Sequence, residues 1–269
     1  MNPDLSETGS ASKNVRMPSV KACPLDPAQL LARFRAVAAQ QGFREELMGY
    51  RDDFPLLAFT RRSSGTHPRI YISSGVHGDE PAPPEALLSL LEQNAFDDRA
   101  NWFLVPMLNP SGFLKAQREN AEGIDLNRDY LAPASAEVVA HLSWLKKQPR
   151  FDLTLCLHED WEAQGFYLYE LSRDLKREFA RSIRTAAGQH VPIEQGSEID
   201  GRPIDEEAII RPEDDPALRE TWPEAIYLFK HHTHLSYTFE TPSGGEMPAR
   251  IAAQCSAVNK AISQVLCRK

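Results

Sequence analysis

Apolar positions recur along the chain with two periods, and the alternation of those periods predicts its elements. Residues 27–41 place Leu30, Leu31, Phe34 and Val37 at helical spacing, and Gly42 closes the run. Strands are expected at 43–48, at 54–60 and, in the β-rich string RIYISS, at 69–74, where Gly75 begins a turn. Residues 81–91 read as a helix whose prolines fall in its first turn. A buried strand at 101–105 and a helix at 135–147 follow. Residues 151–157 form a near-continuous apolar run of the kind found inside parallel sheets. A helix at 175–187, a strand at 235–239 and an amphipathic helix at 247–266 complete the series.

Strands alternating with helices imply an α/β sheet covered on both faces. Two stretches break the pattern. Residues 1–20 are small and polar without periodicity, so a disordered tail is expected, leaving 21–269 as a single domain. Residues 190–223, rich in Gly, Pro and acids, read as long loops or a lid over the sheet edge.

Composition narrows the function classes. A formal charge of -8 argues against a nucleic-acid surface, which needs clustered Lys and Arg. Cys23, Cys156, Cys255 and Cys267 show no metal-binding or disulfide spacing, and Cys156 sits inside an apolar run. The opening residues carry no basic-then-apolar leader, and no run reaches the length of a membrane span. A cytoplasmic protein with reduced cysteines is therefore expected.

Four segments carry candidate chemistry. His77 and Glu80 form an HxxE pair directly after the strand RIYISS, in the crevice where open α/β sheets gather functional groups. An imidazole and a carboxylate suit a catalytic zinc, which takes three protein ligands and leaves one position open. His158, expected to end the strand 151–157, projects toward the same crevice and could complete the set. Glu240, expected to end the strand 235–239, could act as general base. The Asn- and Gly-rich stretch 109–128 carries Arg118 and Arg128, and an arginine can fork two hydrogen bonds onto a carboxylate or stabilise an oxyanion. Taken singly, each has a plainer reading as a surface charge, a strand-end side chain or a structural ion pair. The cluster His231, His232 and His234 reads as packing or surface, and His67, His141 and His190 show no partner pattern.

The strings GVHGDE, MLNPSGF, RENAEGIDLNR, LTLCLHED and SYTFETPSG, in that order, resemble the M14 metallocarboxypeptidase family. The resemblance implies a three-layer αβα fold around a central mixed sheet of about eight strands. It implies one zinc ion held by His77, Glu80 and His158, with Glu240 as general base and Arg118 steadying the oxyanion. Asn127 and Arg128 would grip the substrate's terminal carboxylate, and Asp125 would orient His77. The implied substrate is a small peptide or peptide-like molecule.

The tyrosine that closes over the carboxylate in secreted members has no counterpart in PEDDPALRETWPEAIYL: Tyr227 lies too late, and Tyr167 and Tyr169 belong to an earlier strand. That gap keeps two other readings open. One is the related succinylglutamate desuccinylase and aspartoacylase group, which shares the zinc set but cleaves N-acyl amino acids. The other is a zinc-free relative acting as a binding module.

Overall fold

A computed structural model describes residues 25–173, 177–199, 201–204, 208–212, 215 and 218–267. The tail at 1–20, Cys23, the first residues of the 175–187 helix and, within the acid-rich stretch 190–223, residues 200, 205–207, 213–214 and 216–217 lie outside them.

Eight strands form one mixed sheet. They are β1 (Arg44–Arg51), β2 (Phe54–Arg61), β3 (Arg69–Ser73), β4 (Asn101–Val105), β5 (Leu153–Asp160), β6 (Tyr167–Ser172), β9 (Ile209–Ile210) and β10 (Leu235–Pro242), in the spatial order β1-β2-β4-β3-β5-β10-β6-β9. The central strands β4, β3, β5 and β10 run parallel, while β1, β2 and β6 pair antiparallel. A small hairpin of β7 (Glu198–Ile199) and β8 (Arg202–Pro203) stands apart. The segment read as loops or lid thus contributes both this hairpin and the edge strand β9, which extends the sheet beside β6.

Side-chain alternation along the buried strands decides which helices pack where. Ile70 and Ile72 of β3, and Leu153, Leu155 and Leu157 of β5, face a layer built from α1 (Pro27–Gln40), α2 (Ala82–Glu92), α5 (Arg177–Ala187) and α7 (Met247–Leu266). Tyr71 and Cys156, on the opposite face, meet α4 (Ala136–Leu145) and α6 (Glu224–His231). The architecture is the expected three-layer αβα arrangement.

Two boundaries differ from expectation in a way that matters. β5 runs through His158 to Asp160, and β10 runs through Glu240 to Pro242. Polar side chains at these positions read as strand ends, yet both lie inside the parallel ladder, with Glu240 paired directly to His158. Helix α6 was absent from the pattern reading, because eight residues give too short a window for a 3.6 period.

The loop after β3 is pinned by close backbone contact. A Cβ added to Gly78 would lie 2.0 Å from the backbone of Gly112, in the short helix α3 (Pro110–Phe113). Asn109 ties the two segments: its Nδ2 donates to the Val76 carbonyl at 3.2 Å and to the Arg118 carbonyl at 3.1 Å, while its Oδ1 accepts from the Gly112 amide at 2.9 Å. Gly78→Ala should therefore force these backbones apart and destabilise the fold by about 1–3 kcal/mol. Chemical denaturation would show a lowered midpoint; an unchanged midpoint would mean that the loops separate freely.

Candidate metal centre and its cavity

Every residue singled out in the sequence lines one cavity of 340 Å³ at the C-terminal ends of the parallel strands: His77, Glu80, Arg118, Asp125, Asn127, Arg128, His158 and Glu240. The wall also includes Cys156, Tyr167, Tyr169, Thr238, Ala225 and Ile226. Tyr167 and Tyr169, set aside as members of an earlier strand, thus reach the cavity from β6, whereas Tyr227 is buried against Tyr130.

Glu80 is the hub. One carboxylate oxygen meets His77 Nδ1 in a short contact, and the other lies 3.0 Å from His158 Nδ1 and accepts from the Glu159 amide at 3.1 Å. All three side chains are almost fully buried. Their ligand atoms lie within 4.8 Å of one another, as in no other group of three such residues among the described residues. On its far side, His77 Nε2 lies 3.2 Å from Asp125 Oδ1, an arrangement that fixes the tautomer and leaves Nδ1 facing Glu80. Two imidazole nitrogens and a carboxylate converging from buried positions fit a divalent cation of the borderline-soft kind.

Electrostatics agree with that fit. Burial disfavours a charged His77, yet Glu80 and Asp125 outweigh it and raise its pKa to about 9. Burial likewise works against the Glu80 carboxylate, but His77 and His158 hold it well below its ordinary range. Asp125 is lowered in the same way by His77 and Arg118. Without a cation, then, a proton on His77 supplies the positive charge that this pair of carboxylates requires.

Arg118 Nε donates to Asp125 Oδ2 at 2.9 Å, and its Nη1 lies 3.7 Å from Glu80. Glu240 carries the opposite perturbation. Burial pushes its pKa well above the ordinary value, and the Glu80 and Asp160 charges add to that against the opposing His158 and Arg118. Asn127 and Arg128 stand on a single 3-10 turn (Leu126–Arg128) capped by Asp125, whose Oδ1 accepts the Asn127 amide at 2.9 Å. The stretch between α3 and this turn is wired internally, with Asn120 Oδ1 accepting the amides of Glu122 and Ile124 at 3.0 Å.

Some partners were missed. Glu159 accepts from Arg250 Nη1 at 2.7 Å and from the Ala82 amide at 2.8 Å, which locks α7 to the loop carrying Glu80. His141 has partners after all, in two tyrosine hydroxyls. His232 packs its ring on Phe151, while His234 lies on the surface 3.0 Å from Arg150, so both are packing or surface residues as read. Cys156, Cys255 and Cys267 are free thiols. No helix among the described residues is long and apolar enough to cross a membrane.

Residues 66–226 match the family model described as the succinylglutamate desuccinylase/aspartoacylase catalytic domain. Among curated proteins, the chain is 32% identical to carboxypeptidase SOL1 of Arabidopsis thaliana and 31% identical to carboxypeptidase D of Mus musculus. These matches cover 31% and 35% of the chain but span only 21% and 8% of those two relatives. A solved structure from Shewanella amazonensis, named as an inferred metallopeptidase, is 26% identical with a TM-score of 0.79, covering 89% of this chain and 93% of that one. A metallo-carboxypeptidase from Burkholderia cenocepacia shares the fold at 18% identity and a TM-score of 0.70, covering 90% of this chain and 70% of that one.

Filling the site has a measurable consequence. A cation bound through His77 would have to displace its proton, so affinity should rise with pH and level off only above about 9, once that proton is gone. Loading the apoprotein near neutral pH should release about one proton from this group, read with an indicator dye. Affinity independent of pH over that window would show that His77 is not a ligand. The linked effect on the apoprotein has a definite sign. Its stabilisation by protonated His77 is complete below pH 6.5 and is lost as pH rises through about 9.

Proposed function

The chain belongs to the succinylglutamate desuccinylase/aspartoacylase family of zinc-carboxypeptidase-like hydrolases, and we propose that it hydrolyses the amide bond next to a free carboxylate, releasing a C-terminal residue from a small peptide or peptide-like substrate. The observation that carries this reading is the single cavity holding both the His77–Glu80–His158 set and the Asn127–Arg128 pair. Zinc, bound by His77, Glu80 and His158, would supply a Lewis acid and acidify a water molecule.

The chain's own groups divide the remaining work. Arg128 can fork onto the substrate carboxylate, and Asn127 can add an amide donor beside it. Anchored at that end, the scissile carbonyl is presented between Arg118 and Glu240. Arg118 offers its guanidinium to the oxygen where negative charge develops. Glu240 takes the proton of the attacking water and returns it to the leaving nitrogen, which requires the deprotonated form at the outset. Its raised pKa is that of the cation-free site, and a divalent charge held by His77, Glu80 and His158 would lower it. Asp125 holds His77 and Arg118 together, so the oxyanion donor and one imidazole share an anchor.

A second reading, hydrolysis of N-acyl amino acids, is favoured by the family match over 66–226. It uses the same residues in the same roles and differs only in the acyl group. Tyr167 and Tyr169 of β6 line the same cavity, although the segment 212–228 holds no capping tyrosine.

Chelation should abolish hydrolysis, and zinc should restore it. Glu240→Gln should keep bound metal but lower kcat by about 10²–10⁴-fold, the scale of a positioned general base. Retained turnover would remove Glu240 from that role. Arg128→Ala should raise KM about tenfold or more for substrates with a free carboxylate and change little for their methyl esters. Equal losses on both would make Arg128 structural.

A further inference from the structure

Behind the cavity lies a buried polar chain that the mechanism above does not use. It begins at Tyr130, two residues after Arg128, and crosses from α4 through β3 to the first residue of α6. Tyr130 Oη lies 2.8 Å from His141 Nδ1, and His141 Nε2 lies 2.9 Å from Tyr71 Oη. Tyr71 Oη donates to Glu224 Oε1 at 2.6 Å, and Ser73 Oγ donates to Glu224 Oε2 at 2.9 Å. Tyr71, Ser73, Tyr130, His141 and Glu224 are each at most 1% exposed.

With Glu224 ionised, one proton order satisfies every member. Glu224 accepts twice, so Tyr71 gives its only proton forward and must accept from His141 Nε2–H. His141 Nδ1 is then an acceptor and takes the Tyr130 hydroxyl proton. Burial and the neighbouring His232 hold His141 down to about 3, so a neutral ring with one N–H fits this order. The chain ends at the site itself, because the Glu224 backbone amide donates to Asn127 Oδ1 at 2.9 Å. A backbone N–H can only donate. Asn127 must therefore turn its oxygen to Glu224, leaving both N–H groups of its amide for the cavity it lines.

We infer that Glu224, held by Tyr71 and Ser73, is a positioning residue that sets the orientation of Asn127 and keeps the Asn127–Arg128 pair ready for a carboxylate. The inference rests on the function proposed above and extends it to residues outside the cavity. Truncating Glu224 leaves Tyr71 and Ser73 with orphaned donors and frees the start of α6, so the Asn127 amide loses its fixed orientation. A glutamine at this position keeps an oxygen for Tyr71 and leaves the backbone amide in place.

The test compares Glu224→Ala, Glu224→Gln and Tyr71→Phe in the zinc-loaded full chain, on a C-terminally free dipeptide and its methyl ester. Glu224→Ala should raise KM for the free acid about tenfold, with kcat within about threefold and the ester little changed. Glu224→Gln should stay within about threefold of the parent on both substrates. Tyr71→Phe, which removes only a hydroxyl, should reproduce part of the KM effect and covers the case in which Glu224→Ala does not fold. If the parent protein itself does not distinguish acid from ester, the carboxylate clamp and this inference fall together. If the parent does distinguish them, but the variants lose activity equally on both substrates or glutamine fails as alanine does, only the positioning role is overturned.

Discussion

A carboxylate buried between two imidazoles is the constraint around which the rest of the molecule is organised. Glu80 is 4% exposed, and a charge so removed from water is tolerated only when opposite charge and hydrogen bonds surround it. His77 supplies these from the loop after β3 and His158 from β5, and the Glu159 amide supplies another hydrogen bond. The HxxE loop can reach that position only because Gly78 lets it lie against Gly112. Arg250 then holds Glu159 from the opposite layer, so the far side of the sheet contributes to the same hub.

Parallel register does the remaining placement. Pairing Glu240 with His158 across β10 and β5 puts the proposed base beside a proposed ligand without any loop between them. The turn bearing Asn127 and Arg128, the start of α6 and the tyrosines of β6 line the rest of the cavity. The proposed reacting groups thus come from strands (His158, Glu240) and from pinned loops (His77, Glu80, Arg118), and the proposed substrate-facing pair stands on a hydrogen-bonded turn. Asp125 joins the two sets through His77, Arg118 and the Asn127 amide.

Much of this was legible in the sequence because the central strands are buried on both faces and read as unbroken apolar runs. The strand at 101–105 and the final helix at 247–266 coincide with their expected limits. His158 and Glu240 were recognisable as residue types at the right place, yet were read as strand ends. A polar side chain facing a cavity breaks the apolar run although the backbone ladder continues. Glu224 and His141 were not legible at all. Their partners lie 153 and 70 positions away at Tyr71, and a polar chain satisfied within the core leaves no local spacing to detect.

The most direct test of the central claim is to locate the cation. Crystals of the protein soaked with zinc should show one strong anomalous peak, about 2.0–2.1 Å from the Nδ1 atoms of His77 and His158 and about 2.0–2.2 Å from a Glu80 oxygen. The imidazole–carboxylate contacts should then be replaced by bonds to the metal. A peak elsewhere, or a soaked crystal in which His77 and His158 still contact Glu80 directly, would contradict the account.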